Sequence, residues 1–382
     1  MHLPRYTASI LLYGVIVLVS AEAALRLQQK LGPIYDLEMA TRLDESLDSY
    51  SDTLNHRPVG RAVDSIETTD ASGRPRTYSY FVEYDADGIR LPRPGPPSPQ
   101  CRNRKSTLFL GDSFMQGYDD RNTVPYHVSA ELEARTGLCV AAYNAGYSSY
   151  SPSMFIVQAN RLMPLLRPDY VVVDIDETDL FDEYVRYRSQ IVRDEQGRTI
   201  AVSGTPAYSD YVSGLAEIRS RALYVARFIE KLYFTRVHMP RLLADFRGKD
   251  PLAYSVDTSS GAADRYWVEL TYFESRVDEL AITLLRYLPP KNVFFIHHPH
   301  LEHIRPDVSG RPWKRLVATA VARVAERHGL NFFDATDVLA ERFGTTPENF
   351  YRPGDMHFNL EGTRLYALAV AAYLATLPDW RR

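Results

Sequence analysis

Ser106-Thr107-Leu108-Phe109-Leu110-Gly111-Asp112-Ser113-Phe114 decides how the rest of this chain is read. A short apolar run stops at Gly-Asp-Ser, and a helical pattern begins a few residues later. Buried parallel strands look this way, as apolar runs closed by turn residues. In open α/β sheets chemistry collects at the carboxyl ends of such strands. A serine there is placed to act as a nucleophile, although many ordinary strands also end in Gly-Asp or Asp-Ser turns.

Working outward, the alternation of strand and helix patterns continues to the end of the chain. Strands are predicted at 107–111, 138–143, 170–175, 292–297 and 330–333. Helices are predicted at 125–135, 152–166, 265–288, 312–328 and 360–377. That rhythm implies a parallel sheet with helices on both faces. It breaks between Leu180 and Ala263. Tyr187 to Val202 reads as a hairpin turning at Asp194-Glu195-Gln196-Gly197. Leu215, Ile218, Ala222, Val225, Ile229 and Leu232 then mark one long amphipathic helix, whose other face carries Arg219, Arg221, Arg227 and Lys231. A solvated face is the commoner meaning of such a stripe. Inserted after the third strand, this segment is expected at the carboxyl-end rim as a lid or substrate-selecting cap.

Upstream, Leu43, Leu47, Tyr50 and Leu54 fall on one face of a helix. Thr77 to Tyr84 reads as a strand, followed by the turn Asp85-Ala86-Asp87-Gly88. The proline-rich stretch 93–99 reads as a surface linker. Residues 1–30 are expected to form a membrane anchor or signal segment. Residues 31–105 would be a membrane-proximal region and linker, and 106–382 a catalytic domain with an insertion at about 181–263.

At 382 residues the chain can bury a large core, and its 45% hydrophobic and 24% charged content is that of a globular protein. A net charge of −4 without a basic motif gives no footprint for nucleic acid. Ala8 to Ala24 (ASILLYGVIVLVSAEAA) is apolar apart from Tyr13, two serines and Glu22. Ala21-Glu22-Ala23 allows a cleaved signal peptide. The apolar run continuing to Leu25 and Leu27 favours a retained single-pass anchor in the inner membrane, with the catalytic domain facing the periplasm or exterior. Cys101 and Cys139 are the only cysteines. If the first two strands are parallel neighbours, both lie at one edge of the sheet, and a disulfide and two free buried thiols both remain open.

Near the other end stands Gly354-Asp355-Met356-His357-Phe358-Asn359, after the last strand and before the final helix. A serine after the first strand and Asp/His after the last can meet on one rim. Nucleophile, base and orienting carboxylate are recognised by such roles rather than by order. Taken singly, Asp355 or His357 would be read as a helix cap.

Gly111-Asp112-Ser113-Phe114 with Asp355-Met356-His357-Phe358-Asn359 resembles the SGNH, or GDSL, hydrolase superfamily. Asn144-Ala145-Gly146-Tyr147-Ser148-Ser149-Tyr150-Ser151-Pro152 looks like its second block, and the stretch from Val171 to Leu180 like its third. The anchor, the Asp85–Arg90 turn and the Asp-x-His spacing look most like the membrane-attached bacterial branch. The resemblance implies a three-layer α/β/α sandwich with a mostly parallel, flavodoxin-like five-stranded sheet. It also implies ester hydrolysis or acyl transfer through an acyl-serine, with Ser113 as nucleophile, His357 as base and Asp355 as orienting acid.

The same resemblance implies an oxyanion hole from the Ser113 N–H, a second-block glycine N–H and a third-block asparagine. In this chain the glycine aligns with Ser149 and the asparagine with Thr178, a shorter donor, leaving Asn144 as a substitute. It calls for no cofactor and no metal. The cluster His297-His298-Pro299-His300-Leu301-Glu302-His303 follows the fourth strand, but proline interrupts helical ligand spacing. Substrate contact is therefore expected of it rather than metal.

The reading that results is an exported serine esterase removing O-acyl, foremost O-acetyl, groups from a cell-envelope glycan. Its expected partners are an acylated glycan or small ester and the membrane. Two alternatives stand beside it: an O-acyltransferase using the same serine, and a degenerate glycan-binding or assembly protein.

Overall fold

The computed structural model describes residues 3–31, 37, 50–51, 53–56, 60–69, 75–95, 104–204, 214–215, 217–238, 262–305, 315–353 and 355–380. The chain divides into two compact units, Met1–Tyr50 with Thr205–Val256 and Ser51–Gly204 with Asp257–Arg382.

The first unit contains helix α1, Leu3–Leu31, and the helix Tyr224–Tyr233. Among the described residues no helix is long and apolar enough to cross a membrane. The expectation of a single-pass inner-membrane protein is thereby corrected. Glu22 and Arg26, toward the carboxyl end of α1, are engaged with protein. Glu22 pairs with Arg26 and accepts a hydrogen bond from Val225 N at 2.9 Å. Arg26 donates to Ala222 O at 3.1 Å and lies 4.6 Å over the Tyr224 ring. The single long helix expected from 215 to 232 is also corrected. Leu223 takes extended backbone and starts a new helix at Tyr224. The basic face is partly neutralised where it stands, with Arg221 paired to Glu217 and Glu230.

The second unit begins with an antiparallel ribbon of β1, Gly60–Thr69, and β2, Pro75–Tyr84, the latter matching the strand expected at 77–84. The turn after β2 closes with Gly88 at φ +71°, a conformation that glycine adopts without strain. Of the helix expected across 43–54, Leu43 and Leu47 lie outside the described residues. Tyr50 instead belongs to a short strand, and Leu54 bridges to Val202.

The central sheet has five parallel strands: β3, Arg104–Leu110; β4, Cys139–Asn144; β5, Tyr170–Asp174; β8, Val293–His297; and β9, Asn331–Asp334. Their spatial order is β9-β8-β5-β3-β4, the flavodoxin-like order. Between β5 and β8 lies the expected hairpin, β6, Ile191–Arg193, and β7, Thr199–Val202. Helices α2, Ser113–Gln116, and α3, Val124–Thr136, follow β3; α4, Pro152–Leu166, follows β4; and α5, Glu177–Phe181, follows β5. The rest are α6, Ala262–Leu284; α7, Leu301–Ile304; α8, Leu316–His328; α9, Thr336–Phe343; and α10, Leu360–Leu374.

Side-chain alternation along the strands makes the three layers. Leu108, Leu110, Val171, Val173, Val293 and Phe295 pack with α4, α6 and α8 on one face. Phe109, Val172, Phe294 and Ile296 pack with α3, α9 and α10 on the other. Fully buried parallel strands therefore read as unbroken apolar runs. Cys139 is disulfide-bonded and stands opposite Arg104 at the amino-terminal edge of the sheet; Cys101 lies outside the described residues.

The strand order locates the site. From β3 the chain steps to β4 on one side and returns to β5 on the other. The loops after β3 and β5 thus diverge and leave a crevice at the carboxyl ends, the topological switch point of the sheet.

Candidate active site

Ser113 is the first residue of α2, directly after β3. Gly111 makes this turn possible, because a Cβ there would sit 2.7 Å from Met115 Cβ. Asp112 caps the helix through Phe114 N, at 2.9 Å from its Oδ1. Ser113 Oγ then lies 2.8 Å from His357 Nε2 and 3.2 Å from Asp112 Oδ2.

His357 comes from a tightly closed loop before α10. Arg352 N donates to His357 O at 2.8 Å, and Asp355 N to Arg352 O at 3.2 Å. Tyr351 and Phe358 form an antiparallel bridge at its base. Asn359 caps α10, accepting from Glu361 N and Gly362 N. His357 Nδ1 is 2.7 Å from Asp355 Oδ1, which also accepts from His357 N at 3.2 Å. A proton on Nδ1 shared with this carboxylate leaves the Nε2 lone pair facing the serine hydroxyl.

Burial holds the His357 imidazolium below the usual histidine range, and the Asp355 carboxylate opposes that shift. Burial pushes Asp355 upward, but hydrogen bonds from His357 keep it below the ordinary carboxylate value. Burial and the neighbouring Asp176 push the Asp112 carboxyl above the usual carboxylate range.

The structure therefore brings Ser113, His357 and Asp355 together. The other expected residues are placed differently. Asn144 donates from Nδ2 to Met115 O at 3.0 Å and accepts from Gly146 N at 2.9 Å. Thr178 donates both its N–H, at 2.9 Å, and its hydroxyl, at 2.6 Å, to Asp176 Oδ1. Both side chains are engaged in holding backbone turns. Ser149 has φ +59°, a left-handed conformation ordinarily given to glycine. Its carbonyl accepts from Tyr187 and its hydroxyl from Arg186.

Three neighbours were not singled out from the sequence. Arg352 braces Asp355 Oδ2 at 3.5 Å and donates to the Tyr118 hydroxyl at 2.9 Å. Asp112 contacts the serine hydroxyl. The Phe114 ring stacks 4.9 Å from the His357 ring. All three lie within the quoted motifs or beside them, so proximity in sequence was the available signal.

No family model matches the chain, and no curated protein matches it. Among solved structures it is similar to Axe2, an acetylxylan esterase from Geobacillus stearothermophilus, at 14% identity and a TM-score of 0.42, covering 74% of this chain and 99% of that one. It is similar to a lipase/acylhydrolase from Enterococcus faecalis at 14% identity and a TM-score of 0.38, covering 71% and 96%. LAE5, an alpha/beta hydrolase enzyme from the metagenome of Lake Arreo, Spain, aligns at 16% identity and a TM-score of 0.40, covering 70% and 94%. At these identities and scores the likenesses carry no inference about activity or residue roles.

Proposed function

We propose that this chain is a serine ester hydrolase of the SGNH/GDSL type, working through an acyl-serine. The observation that carries the reading is the unbroken line from Ser113 Oγ to His357 Nε2, 2.8 Å, and from His357 Nδ1 to Asp355 Oδ1, 2.7 Å. Nucleophile and base within hydrogen-bond reach, the base oriented by a third group, is the arrangement acyl transfer needs.

In this reading His357 Nε2 takes the Ser113 proton as Oγ bonds to the ester carbonyl carbon. The tetrahedral intermediate breaks to an acyl-serine as His357 returns that proton to the leaving alcohol. Water, deprotonated by the same Nε2, then attacks the acyl-serine and releases the acid. With Asn144 and Thr178 engaged elsewhere, the donors for the oxyanion are the Ser113 and Ser149 backbone N–H groups. We take acetyl esters of a glycan as the substrate class, the reading that the motif resemblance favours.

The test is labelling of the intact chain with a fluorophosphonate, mapping of the modified residue, and acetyl release from acetylated oligosaccharides with and without a sugar acceptor. Label on Ser113 with acetate release supports the reading. Acetate release that falls as acetylated acceptor accumulates would make it a transferase, and absence of label and turnover in folded protein would refute catalysis.

A further inference from the structure

One ring away from Ser113 lies a second buried cluster that the proposed chemistry does not use. Asp176 follows β5 and His298 and His300 follow β8, two adjacent parallel strands. Asp176 Oδ2 is 2.6 Å from His300 Nε2 and 3.0 Å from His298 Nε2. The side chains are 1%, 6% and 1% exposed for Asp176, His300 and His298. His298 Nε2 faces only the Asp176 carboxylate, at 3.0 Å.

The far side of each group is held in the way metal ligands are held. His298 Nδ1 lies 3.0 Å from Asp174 Oδ1, which also accepts from the Tyr366 hydroxyl at 2.8 Å. With the proton at Nδ1, His298 Nε2 carries a lone pair directed into the cluster. His300 Nδ1 faces Glu302 Oε1 at 3.7 Å, and His300 N donates to His303 Nδ1 at 3.0 Å. Asp176 Oδ1 accepts from Thr178 N, the Thr178 hydroxyl and Asp179 N, which leaves Oδ2 to face the two histidines. The surroundings are rich in carboxyl groups. Asp174 Oδ2, Asp179 Oδ1 and Glu177 Oε1 are buried without hydrogen-bond partners.

We propose that Asp176, His298 and His300 form a binding site for a divalent transition-metal cation, with zinc as the fitting probe. The three ligand atoms lie within 4.8 Å of one another. Zinc bound tetrahedrally at about 2.0–2.1 Å spaces its ligands by roughly 3.3 Å, wider than the 2.6 Å and 3.0 Å separations, so the three side chains would have to spread by less than about 1 Å to admit it. Two imidazoles and one carboxylate suit zinc or ferrous iron and leave a position for water. The cation ties the loops after β5 and β8 together behind Phe114, whose ring lies 3.8 Å from that of His298. This is a site distinct from the Ser113 line, and it stands whether or not Ser113 is a nucleophile.

The experiment is performed on the purified full chain, stripped with chelator and dialysed against zinc. Bound metal is counted by mass spectrometry, and the melting temperature is read with and without zinc. One zinc per chain and a melting temperature that rises with zinc are expected. His298→Gln and His300→Gln should each lower zinc content at least tenfold, while Ser113→Ala should keep it. Zinc content near zero in the wild type, or full content in both histidine variants, overturns the proposal. If a variant fails to fold, X-ray absorption of the zinc-loaded wild type decides. Two imidazoles and a carboxylate support the site, and any other ligand set refutes it.

Discussion

Replacing Asp355 by asparagine tests the proposed chemistry at its most revealing point. The change keeps the size of the side chain but removes the charge 2.7 Å from His357 Nδ1. An amide can also present its NH2 to that nitrogen, which moves the ring proton to Nε2 and disables the base. In a triad with a buried aspartate such a change costs about 10⁴ in rate. The Asp355 side chain is 34% exposed, so water replaces part of what is lost. We therefore expect kcat to fall by about 10²–10³, or roughly 2.7–4 kcal/mol of transition-state stabilisation, with KM nearly unchanged.

The assay is hydrolysis of a small acetyl ester across the acid and neutral range. Burial lowers the His357 pKa and Asp355 raises it. The active, neutral base therefore persists below the usual histidine range and is lost only as pH falls through that lowered value. Removing Asp355 removes the raising influence, so the acid limb of the profile should move to still lower pH. A variant within about threefold of wild type, or a limb that moves upward, would refute the reasoning.

Further predictions address the frame around the site. In Gly146→Ala the new Cβ would lie 2.6 Å from Met115 Cβ and 2.7 Å from Gln116 N, pressing on the helix that begins at Ser113. Urea unfolding should show about 1–3 kcal/mol of lost stability, and ester turnover should fall about a hundredfold from displacement of the nucleophile. Thr178→Val removes the 2.6 Å bond to Asp176; stability should fall by about 1–3 kcal/mol with turnover changed less than about threefold, whereas a hundredfold loss would place that hydroxyl on the oxyanion. Cys139 should alkylate only after reduction, read by mass spectrometry of the intact chain.

The sheet was legible because its inner strands are buried on both faces, so that runs such as Val171-Val172-Val173 carry no polar interruption. The long spacing between Ser113 and His357 was bridged by topology: strands with a parallel rhythm place all their following loops on one rim. Other features depended on contacts without a local signature. The break at Leu223 occurs inside a perfect helical stripe. At Asn144 and Thr178 residue type suggested donors, but the donors are turned to Met115 O and Asp176. The grouping of Asp176 with His298 and His300 was hidden for a related reason. Spacing along one helix was the criterion, while the grouping arises between loops after two neighbouring strands.

Hydrogen bonds among Arg352, Asp355 and His357 hold the base and its carboxylate together as one piece. Their mutual geometry is set locally, by Arg352 N on His357 O and by His357 N on Asp355. Only the 2.8 Å separation from Ser113 Oγ depends on the packing of α10 against the rest of the sheet. On the proposed chemistry, rate would therefore be lost by parting of two intact halves, a pre-assembled proton acceptor on one side and a capped serine on the other. An imidazole whose titration stays native while turnover decays on warming would be the signature of that parting, visible before the sheet itself begins to melt.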